Sequence, residues 1–487
     1  MVCTRGKTPL YGEISKAVDK DKIKMHKIGK PEKKRSRAKS AKIIPLSFLA
    51  AIAIGTILLW MPWSTVSGEH TSLLTALFTA TTSVCVTGLV VVDTFAHWTL
   101  FGKIVILILI QLGGFGIIAV ASILMLMFKR NLSLRDRVII HDAFNMESFD
   151  DVMPFLTRVF KWTFLVEMLG ALLYIPCFVP RFGTAEGIWI SVFNAISAFC
   201  NAGIDIMGPD SLISYNGNVP VMFITMMLII LGGLGYVVWF DLLKGLRNSI
   251  KNHYSIKVFW KHLGEHTRLV LFLTGGLILG GMLTTFIAEF NNPGTMGEMS
   301  FGGKLLNSLF QSVTFRTAGF ASVPQENLSP ATCTVGYLLM FIGGSPVGTA
   351  GGVKTVTFCV VVLNAISFIR DRNETVAFGR KVTDSMARKA SAIIAVSFGA
   401  TLVLLWLLLA TNPVSWVDGA FEMISATATV GLTRALTPTL NLFGKLLVIL
   451  AMFLGRIGPI SMAFFFLDEN SKEKNRISFA EGKFFVG

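Results

Sequence analysis

Four short segments that end on a glycine recur along the chain at nearly constant spacing. The glycines are Gly88, Gly203, Gly319 and Gly431, and the intervals between them are 115, 116 and 112 residues. Each segment lies between two long apolar stretches, and the four read FTATTSVCVTG, FNAISAFCNAG, FQSVTFRTAG and FEMISATATVG. Self-similarity at a fixed period is the signature of a repeat architecture. The chain is therefore predicted to contain four copies of one module, each an apolar span, a short re-entrant helix, a glycine turn and a second apolar span.

The composition excludes a soluble globular protein. Hydrophobic residues make up 53% of the 487 residues, and charged residues only 15%. A helix needs about 20 apolar residues to cross the hydrocarbon core of a bilayer, and eight stretches reach about that length. The predicted spans are residues 43–63, 104–128, 162–179, 219–240, 269–288, 335–368, 390–410 and 446–467. We predict eight spans and four shorter segments that enter the membrane without crossing it.

The spans and short segments group into four units between two tails. The predicted organisation is a basic cytosolic tail over residues 1–42, repeats over residues 43–128, 155–245, 265–369 and 390–467, and a cytosolic tail over residues 468–487. Each unit has an even number of full crossings, so all units have the same orientation about an axis along the membrane normal. The predicted fold is an all-α integral membrane protein of four parallel membrane–pore–membrane repeats around a central ion path.

The basic residues lie mostly on one predicted side of the membrane. Residues 1–42 carry 14 Lys and Arg, the loops 129–161, 244–268 and 370–389 carry six each, and the tail after residue 467 carries four. The positive-inside rule then predicts a multi-pass protein of the plasma (inner) membrane with both termini cytoplasmic. The net charge of +15 is interpreted as contact with membrane lipid rather than with nucleic acid.

A short helix is predicted before each of the four glycines. These pore helices are expected at residues 71–84, 187–199, 304–314 and 416–426. Each helix would enter the membrane from the outer side and be followed by non-helical backbone. At that depth such backbone is stable only where it lines a water-filled cavity, so a cavity is predicted there. The carbonyl end of each helix would then point at the bilayer centre. Because that end carries about half a negative charge, it favours a cation there.

The turn after each pore helix is the predicted selectivity filter. Backbone carbonyls can replace the water around a cation when a turn aims them at the axis, and glycine adopts the backbone angles that such a turn needs. The four recurrences disfavour the alternative that these are ordinary glycines in tight turns. The predicted filter residues are Val86, Thr87, Gly88, Asn201, Ala202, Gly203, Thr317, Ala318, Gly319, Thr429, Val430 and Gly431.

A glycine-rich stretch interrupts the second span of the third unit. Residues 343–354 read GGSPVGTAGGVK and cannot hold a continuous helix, so we predict an unwound loop under the filter. A phosphate-binding P-loop has a lysine directly after its last glycine. Here Val353 lies between Gly352 and Lys354, so a P-loop is excluded. We hypothesise that this loop and Arg456 together form a barrier to ion passage, and the candidate residues are Gly343, Gly344, Ser345, Pro346, Gly348, Thr349, Gly351, Gly352, Lys354 and Arg456.

Two charged side chains lie inside predicted spans. Arg456 replaces the second glycine of a pair that the other units have at residues 113–114, 232–233 and 343–344. For the pairs at 113–114 and 232–233, close helix packing is the favoured interpretation. A central arginine in a span costs about 2.5–3.5 kcal/mol, so Arg456 should face the ion path and hinder occupancy. The alternative is an arginine that extends to the cytoplasmic interface. Nothing in the sequence identifies a partner for Glu167, and the simplest interpretation places it near the cytoplasmic end of its span.

The four turns resemble the filter loops of the Trk/Ktr/HKT superfamily of potassium transporters. The matching stretches are SVCVTGL, AFCNAGI, TFRTAGF and TATVGL, and the resemblance covers residues 43–467. It is greatest to the Ktr-type membrane subunit, because the first repeat follows directly after a cytosolic tail. The resemblance implies K⁺ at the filter, gated by the loop 343–354 with Arg456, and Gly88 in place of serine favours potassium over sodium.

The same resemblance implies partners and ions. The chain is expected to be a homodimer docked on a cytosolic ring of nucleotide-binding regulatory subunits. K⁺ is the expected transported ion, Na⁺ is an additional candidate that would stimulate or accompany uptake, and no organic cofactor is expected.

Two alternatives come from other classes of protein. An alternating-access cation symporter would have inverted repeats. A zinc hydrolase could use His262, Glu265 and His266, which fit the pattern H-x-x-E-H. This pattern lies in a basic loop without an evident third ligand, and the six cysteines are scattered, so no metal site or disulfide framework is indicated and the chain is predicted not to be an enzyme.

Overall fold

The computed structural model describes residues 32–116, 152–372 and 374–458. In these ranges the chain is helical except for its turns, its connecting loops and one small hairpin, in which β1 (Val376–Ala377) pairs antiparallel with β2 (Arg380–Lys381). Residues 1–31 of the predicted tail 1–42, the whole predicted tail 468–487, the stretch 117–151 and the inner ends of the first and fourth repeats lie outside the described residues.

The first repeat contains two long helices around a short one. Helix α1 (Glu32–Trp60) is followed by the pore helix α2 (Leu73–Cys85), a single turn α3 (Thr94–His97) and α4 (Leu100–Phe115). A 3-10 turn at Pro62–Ser64 ends the first helix.

The second repeat has the same order and adds a bent inner end. Its helices are α5 (Val152–Phe182), the pore helix α6 (Thr184–Cys200), α7 (Val219–Leu234) and α8 (Tyr236–Asn252), with a 3-10 turn at Ile213–Tyr215. The short helix α9 (Ile256–His262) connects it to the third repeat.

The third and fourth repeats complete the pattern. The third contains α10 (Glu265–Glu289), the pore helix α11 (Phe301–Thr314), a 3-10 turn at Gln325–Asn327, α12 (Pro330–Phe341) and α13 (Thr355–Ile369). The fourth contains α14 (Asp384–Thr411), the pore helix α15 (Trp416–Thr427), a 3-10 turn at Thr437–Thr439 and α16 (Leu442–Ile457). All four predicted pore helices are confirmed to within three residues at each end.

Ser, Thr or Asn side chains begin eight of the sixteen helices described above. A Ser, Thr or Asn side chain accepts a hydrogen bond from a first-turn backbone N–H, which has no partner inside the helix. Such caps begin helices at Ser72, Thr99, Asn218, Ser300, Ser329, Thr383, Ser415 and Asn441. Seven of the eight residues lie on the outer side predicted from the charge distribution, where helices re-enter the membrane after a loop.

The four repeats close into a ring through their pore helices. In the first, second and fourth repeats the pore helix packs against both long helices of its own repeat, and in the third it packs against α10. The second long helix of each repeat packs on the pore helix of the next one. The contacts between repeats are α4 on α6, α7 on α11, α12 on α15 and α16 on α2. Because the last contact returns to the first repeat, the pore helices surround one central axis.

Buried phenylalanines anchor the pore helices in this ring, and the outer surface is apolar. The phenylalanine that begins each repeated segment is completely buried: Phe78, Phe193, Phe310 and Phe421. Large apolar side chains such as Phe272, Leu283 and Trp406 are instead more than half exposed on the long helices. An apolar exterior around a polar, buried centre is what a lipid environment selects.

The long helices match the predicted spans unevenly. Among the described residues, three helical stretches are long and apolar enough to cross a membrane, Pro154–Phe182, Glu265–Glu289 and Asp384–Thr411. The pair α7 and α8 makes a fourth if it is one bent span. The prediction of one continuous span over residues 219–240 is wrong, because the chain bends by 101° between α7 and α8. Gly235 lies at the bend with a φ of +87°, and its missing side chain leaves room for the Pro346 carbonyl oxygen.

Candidate functional site

The four predicted filter turns share one unusual backbone conformation. The first residue of each turn has a left-handed φ, at Val86 (+54°), Asn201 (+57°), Thr317 (+67°) and Thr429 (+51°), and so does each glycine, whereas none of the middle residues has a positive φ. This alternation allows successive carbonyls to point to the same side of the chain instead of to opposite sides. Positive φ at a β-branched residue costs about 1–3 kcal/mol and persists only where the surroundings enforce it.

The four glycines converge on a closed ring of backbone. A Cβ added to Gly88 would lie 2.5 Å from the carbonyl oxygen of Ala202, so no side chain fits there. The same relation runs round the ring: Gly88 faces Ala202, Gly203 faces Ala318, Gly319 faces Val430 and Gly431 faces Thr87. The structure thus brings all twelve predicted filter residues together at the centre of the molecule, where the non-glycine members are at most 1% exposed.

A hydroxyl in the last turn of each pore helix forms a hydrogen bond that stabilises the filter turn that follows. Thr82 Oγ1 accepts a hydrogen bond from Gly88 N (2.9 Å), and Ser425 Oγ accepts one from Gly431 N (3.1 Å). In the other two repeats Ser197 Oγ donates to Ile204 O (2.5 Å) and Thr314 Oγ1 donates to Phe320 O (2.7 Å). No role was predicted for these residues, although each is the last residue of a repeated F-x-x-x-S/T stretch.

The glycine pairs below the ring allow close helix packing, as was predicted for the pairs at 113–114 and 232–233. At the first glycine a Cβ would collide with a carbonyl oxygen near the end of the pore helix, in the pairings Gly113 with Val84, Gly232 with Phe199 and Gly455 with Thr427. A glycine three residues further on ends each helix with a positive φ: Gly116 (+80°), Gly235 (+87°) and Gly458 (+86°). These breaks were missed, and the spacing G-x-x-G was their signal.

The stretch 343–354, called the gate loop from here on, contains no helix and lies between α12 and α13. It is held on the broken second repeat by backbone hydrogen bonds. Thr349 N donates to Gly232 O (3.1 Å), and Ser345 N donates to Gly233 O (2.9 Å). The gate loop is thus unwound, as predicted, and ordered by its neighbours.

The middle of the gate loop lies directly beneath the filter. Thr349 Oγ1 donates to Phe199 O at the end of a pore helix (3.0 Å), and Gly351 N donates to Thr317 Oγ1 of the third filter turn (3.1 Å). A side chain at Gly351 would collide with Thr429 Oγ1 of the fourth turn. The gate loop therefore contacts three of the four repeats immediately below the ring.

Arg456 links the gate loop to the rest of the ring. Its Nη1 donates to Thr349 O (2.7 Å), and its Nη2 donates to Gly113 O in the first repeat. The guanidinium is therefore bonded to two backbone carbonyls below the filter and does not extend to the interface. The remaining predicted gate cation, Lys354, donates to Ala350 O (2.6 Å) within the loop.

A second arginine below the ring was missed from the sequence. Arg316 precedes the third filter turn, is 8% exposed, and donates from Nη2 to Gly343 O at the start of the gate loop (3.3 Å). Within the described residues, no carboxylate lies within 4 Å of Arg316 or Arg456. Two unneutralised guanidinium groups thus hold the gate loop, one at its start and one at its middle.

Glu167 has a hydrogen-bond partner that could not be predicted from the sequence. It is 4% exposed in α5, and the Gln111 amide nitrogen of α4 donates to both of its carboxyl oxygens (3.1 and 3.0 Å). The thiol of Cys200, at the end of a pore helix, also points to Glu167 (3.8 Å). This polar cluster joins the first and second repeats just below the ring.

The residues of the zinc-hydrolase alternative do not form a site. His262 ends α9 and Glu265 begins α10, so His262 and His266 lie on different helices. Glu265 pairs with Arg380 (3.4 Å), and among the described residues no three His, Cys, Asp or Glu side chains cluster as metal ligands do.

Four parallel repeats, with pore helices that converge on one ring of backbone, define an integral membrane protein built around a central path. Comparison with known proteins identifies it further. The chain belongs to the TrkH family, described as a cation transport protein, which it matches over residues 18–476. It is thus a multi-pass cation transport protein and not an enzyme, and the predicted Trk/Ktr resemblance is confirmed.

Individual relatives cover nearly the whole chain. The Ktr system potassium uptake protein B of Bacillus subtilis is 37% identical over 91% of this chain and 96% of its own length. The potassium/sodium uptake protein NtpJ of Enterococcus hirae is 34% identical over 93% of this chain and 98% of its own. The crystal structure of the potassium transporter TrkH from Vibrio parahaemolyticus has the same fold, with a TM-score of 0.69, 15% identity and coverage of 91% of this chain and 86% of that one.

Proposed function

We propose that this chain moves K⁺ inward across the plasma membrane, down its electrochemical gradient, as the ion-translocating subunit of a Ktr/Trk-type system. The observation that carries the proposal is the closed ring in which each filter glycine faces a carbonyl oxygen of the next repeat. Backbone carbonyls arranged in a ring can replace the hydration shell of a cation. The names of the B. subtilis and E. hirae relatives favour potassium, and the second adds sodium as an ion to be tested.

Two buried hydroxyls at the ring support a cation site. Thr87 Oγ1 and Thr429 Oγ1 have no hydrogen-bond partner among the described residues. A buried polar group without a partner costs about 1–3 kcal/mol, and a dehydrated cation in the path would supply the missing interaction. The four pore-helix carbonyl ends add partial negative charge around the same point.

The gate loop and its two arginines are proposed to close the path below the filter. The loop fills the space under three filter turns, and Arg316 and Arg456 bond to its carbonyls. A positive charge beneath a cation filter also disfavours full ion occupancy. Opening therefore requires that the gate loop leaves Arg456 and moves away from the axis.

Growth of a K⁺-uptake-deficient bacterium in low K⁺ tests the proposal. The wild-type chain, with a cytosolic regulatory partner supplied, is expected to restore growth. Gly88→Ser is expected to weaken the rescue or to admit Na⁺, because its Cβ would meet the Ala202 carbonyl and displace that oxygen from the ring.

A matched control separates the ring from backbone strain. Gly68 also has a positive φ (+72°) but lies in open space, so Gly68→Ser should retain growth and selectivity. Failure of the wild type to rescue, or equal effects of the two substitutions, would contradict the filter proposal. Uptake that saturates and requires a co-transported ion would favour the alternating-access symporter instead.

The proposed assembly is a homodimer on a cytosolic ring of nucleotide-binding regulatory subunits, with both termini cytoplasmic. The relatives' names describe a Ktr system, which favours partner subunits. The basic loops between repeats are the proposed contacts. Mass measurement of the purified complex would test this directly: a single chain without partners, in a form that transports K⁺, would contradict it.

A further inference from the structure

A basic cleft lies beside the bend in the second repeat, away from the ion path. It has a volume of about 650 Å³ and is formed between the start of α5 and the bent helix α8. Its cations are Arg158 from α5 and Lys244, Arg247 and Lys251 from α8. The α8 residues are spaced by three and four positions, which places them on one helix face.

The cleft combines these cations with aromatic rings and excludes acidic groups. Trp162 and Phe240 line it, and the Arg158 guanidinium lies over the Phe240 ring at 5.4 Å. None of its lining residues is acidic, and no described carboxylate lies within 4 Å of the three α8 cations. Their charges are therefore available to an anion.

Helix α8 has the geometry of a helix that lies in the membrane interface. It leaves α7 at 101°, so it turns along the membrane surface if α7 crosses the bilayer. Leu243, Leu246 and Ile250 form an exposed apolar stripe, at 38%, 52% and 68% exposure, directly beside the basic stripe. Adjacent apolar and basic stripes place a helix at the depth of lipid headgroups, with the apolar side toward the acyl chains.

We propose that this cleft binds the phosphate of an anionic phospholipid headgroup. The four cations would hold the phosphate, Trp162 would lie at the interface, and the apolar stripe of α8 would contact the acyl chains. A lipid is favoured over a free phosphate because the cleft adjoins this apolar stripe, which a soluble anion would leave uncovered.

The proposed site is directly connected to the gate loop. Helix α8 begins one residue after Gly235, and Tyr236 N donates a hydrogen bond to Val347 O in the gate loop (3.1 Å). A lipid that fixes the direction of α8 would therefore fix one anchor of the gate loop. Binding itself does not depend on which ion is transported, so it can be tested separately from the proposed function.

Native mass spectrometry of the whole purified protein, with phosphatidylglycerol and with phosphatidylcholine, tests the proposal. The wild type is expected to retain phosphatidylglycerol preferentially. The triple variant K244Q/R247Q/K251Q should bind it about a hundredfold more weakly, at about fivefold for each cation removed. The charge-conserving variant K244R/R247K/K251R should retain most of the binding.

A control of equal charge guards against a general effect of basic residues. Arg370, Arg372 and Arg388 are exposed and lie outside the cleft, so R370Q/R372Q/R388Q should bind like the wild type. Equal loss in both triple variants would overturn the proposal. So would displacement of the lipid by inorganic phosphate alone, or unchanged lipid binding in the cleft variant together with loss of a cytosolic protein partner.

Discussion

The filter ring is similar in all four repeats, whereas the layer beneath it differs from one repeat to another. In the ring every repeat has a first residue with a left-handed φ, a glycine at the third position and a Ser or Thr hydroxyl from the pore helix that bonds to the backbone of or just after the turn. Below it the second helices differ, because three end at a glycine and the third repeat instead unwinds over the gate loop. Only the fourth repeat has an arginine, Arg456, at the position where the other three have the second glycine of a pair.

This difference follows from what each layer has to do. A dehydrated ion needs oxygens on every side, so a filter gains from equivalent contributions of all repeats. A gate needs a segment with two arrangements, and under the proposed function the single loop 343–354, held by a few hydrogen bonds, would be that segment. The predictions that follow test whether symmetry governs the upper layer and asymmetry the lower one.

The largest effect is expected for loss of ring closure. In Gly319→Ala the added Cβ would lie 2.7 Å from the Val430 carbonyl oxygen, and the positive φ (+83°) costs about a further 1–2 kcal/mol. We expect cation flux into liposomes to be abolished. Gly183→Ala, with a φ of +82° in open space, should retain flux; equal loss in both would show that strain rather than the ring is responsible.

An increase of flux is expected when the gate loop loses Arg456. In Arg456→Ala the hydrogen bonds to Thr349 O and Gly113 O are absent. Loss of about 1.5–3 kcal/mol of charged hydrogen bonding should raise the open population about tenfold or more. Liposome flux should increase while the ratio of K⁺ to Na⁺ permeation is unchanged. Unchanged flux would contradict the role of Arg456 as a barrier.

A smaller effect is expected from one filter hydroxyl. Ser425→Ala removes the acceptor for Gly431 N, which leaves a buried N–H unpaired at about 1–3 kcal/mol. K⁺ over Na⁺ selectivity should fall several-fold. Ser415→Ala removes a cap from the start of the same helix, where the side chain accepts from Asp418 N. It should lower thermal stability by a similar energy without changing selectivity, and the same loss in both variants would contradict a filter role.

The smallest effect on transport is expected at Glu167. Glu167→Ala leaves the Gln111 amide without its carboxylate below the ring. We expect unfolding to become easier by about 1–3 kcal/mol, measured by thermal denaturation in detergent. Selectivity should be unchanged, because neither side chain belongs to a filter turn. Glu167→Gln should recover much of the stability.

The pore helices, the glycine turns and the unwound stretch 343–354 could be predicted from the sequence, whereas the helix break shared by three repeats and the contacts between distant segments could not. The four pore helices and filter glycines were predictable because apolar runs and glycine spacing report local structure directly. The bend at Gly235 was not predictable, because a G-G-x-G stretch inside an apolar run is as compatible with a continuous, tightly packed helix as with a bent one. The contact of Arg316 with the gate loop and of Gln111 with Glu167 arises only from the closure of the ring, which brings distant segments together.

Rubidium is a potassium substitute whose position anomalous scattering can identify, so a structure in Rb⁺ tests the central claim most directly. We expect a Rb⁺ peak on the axis of the ring, coordinated by backbone carbonyls of all four filter turns. A peak away from the ring, or an occupied ring coordinated by only one or two repeats, would contradict the account.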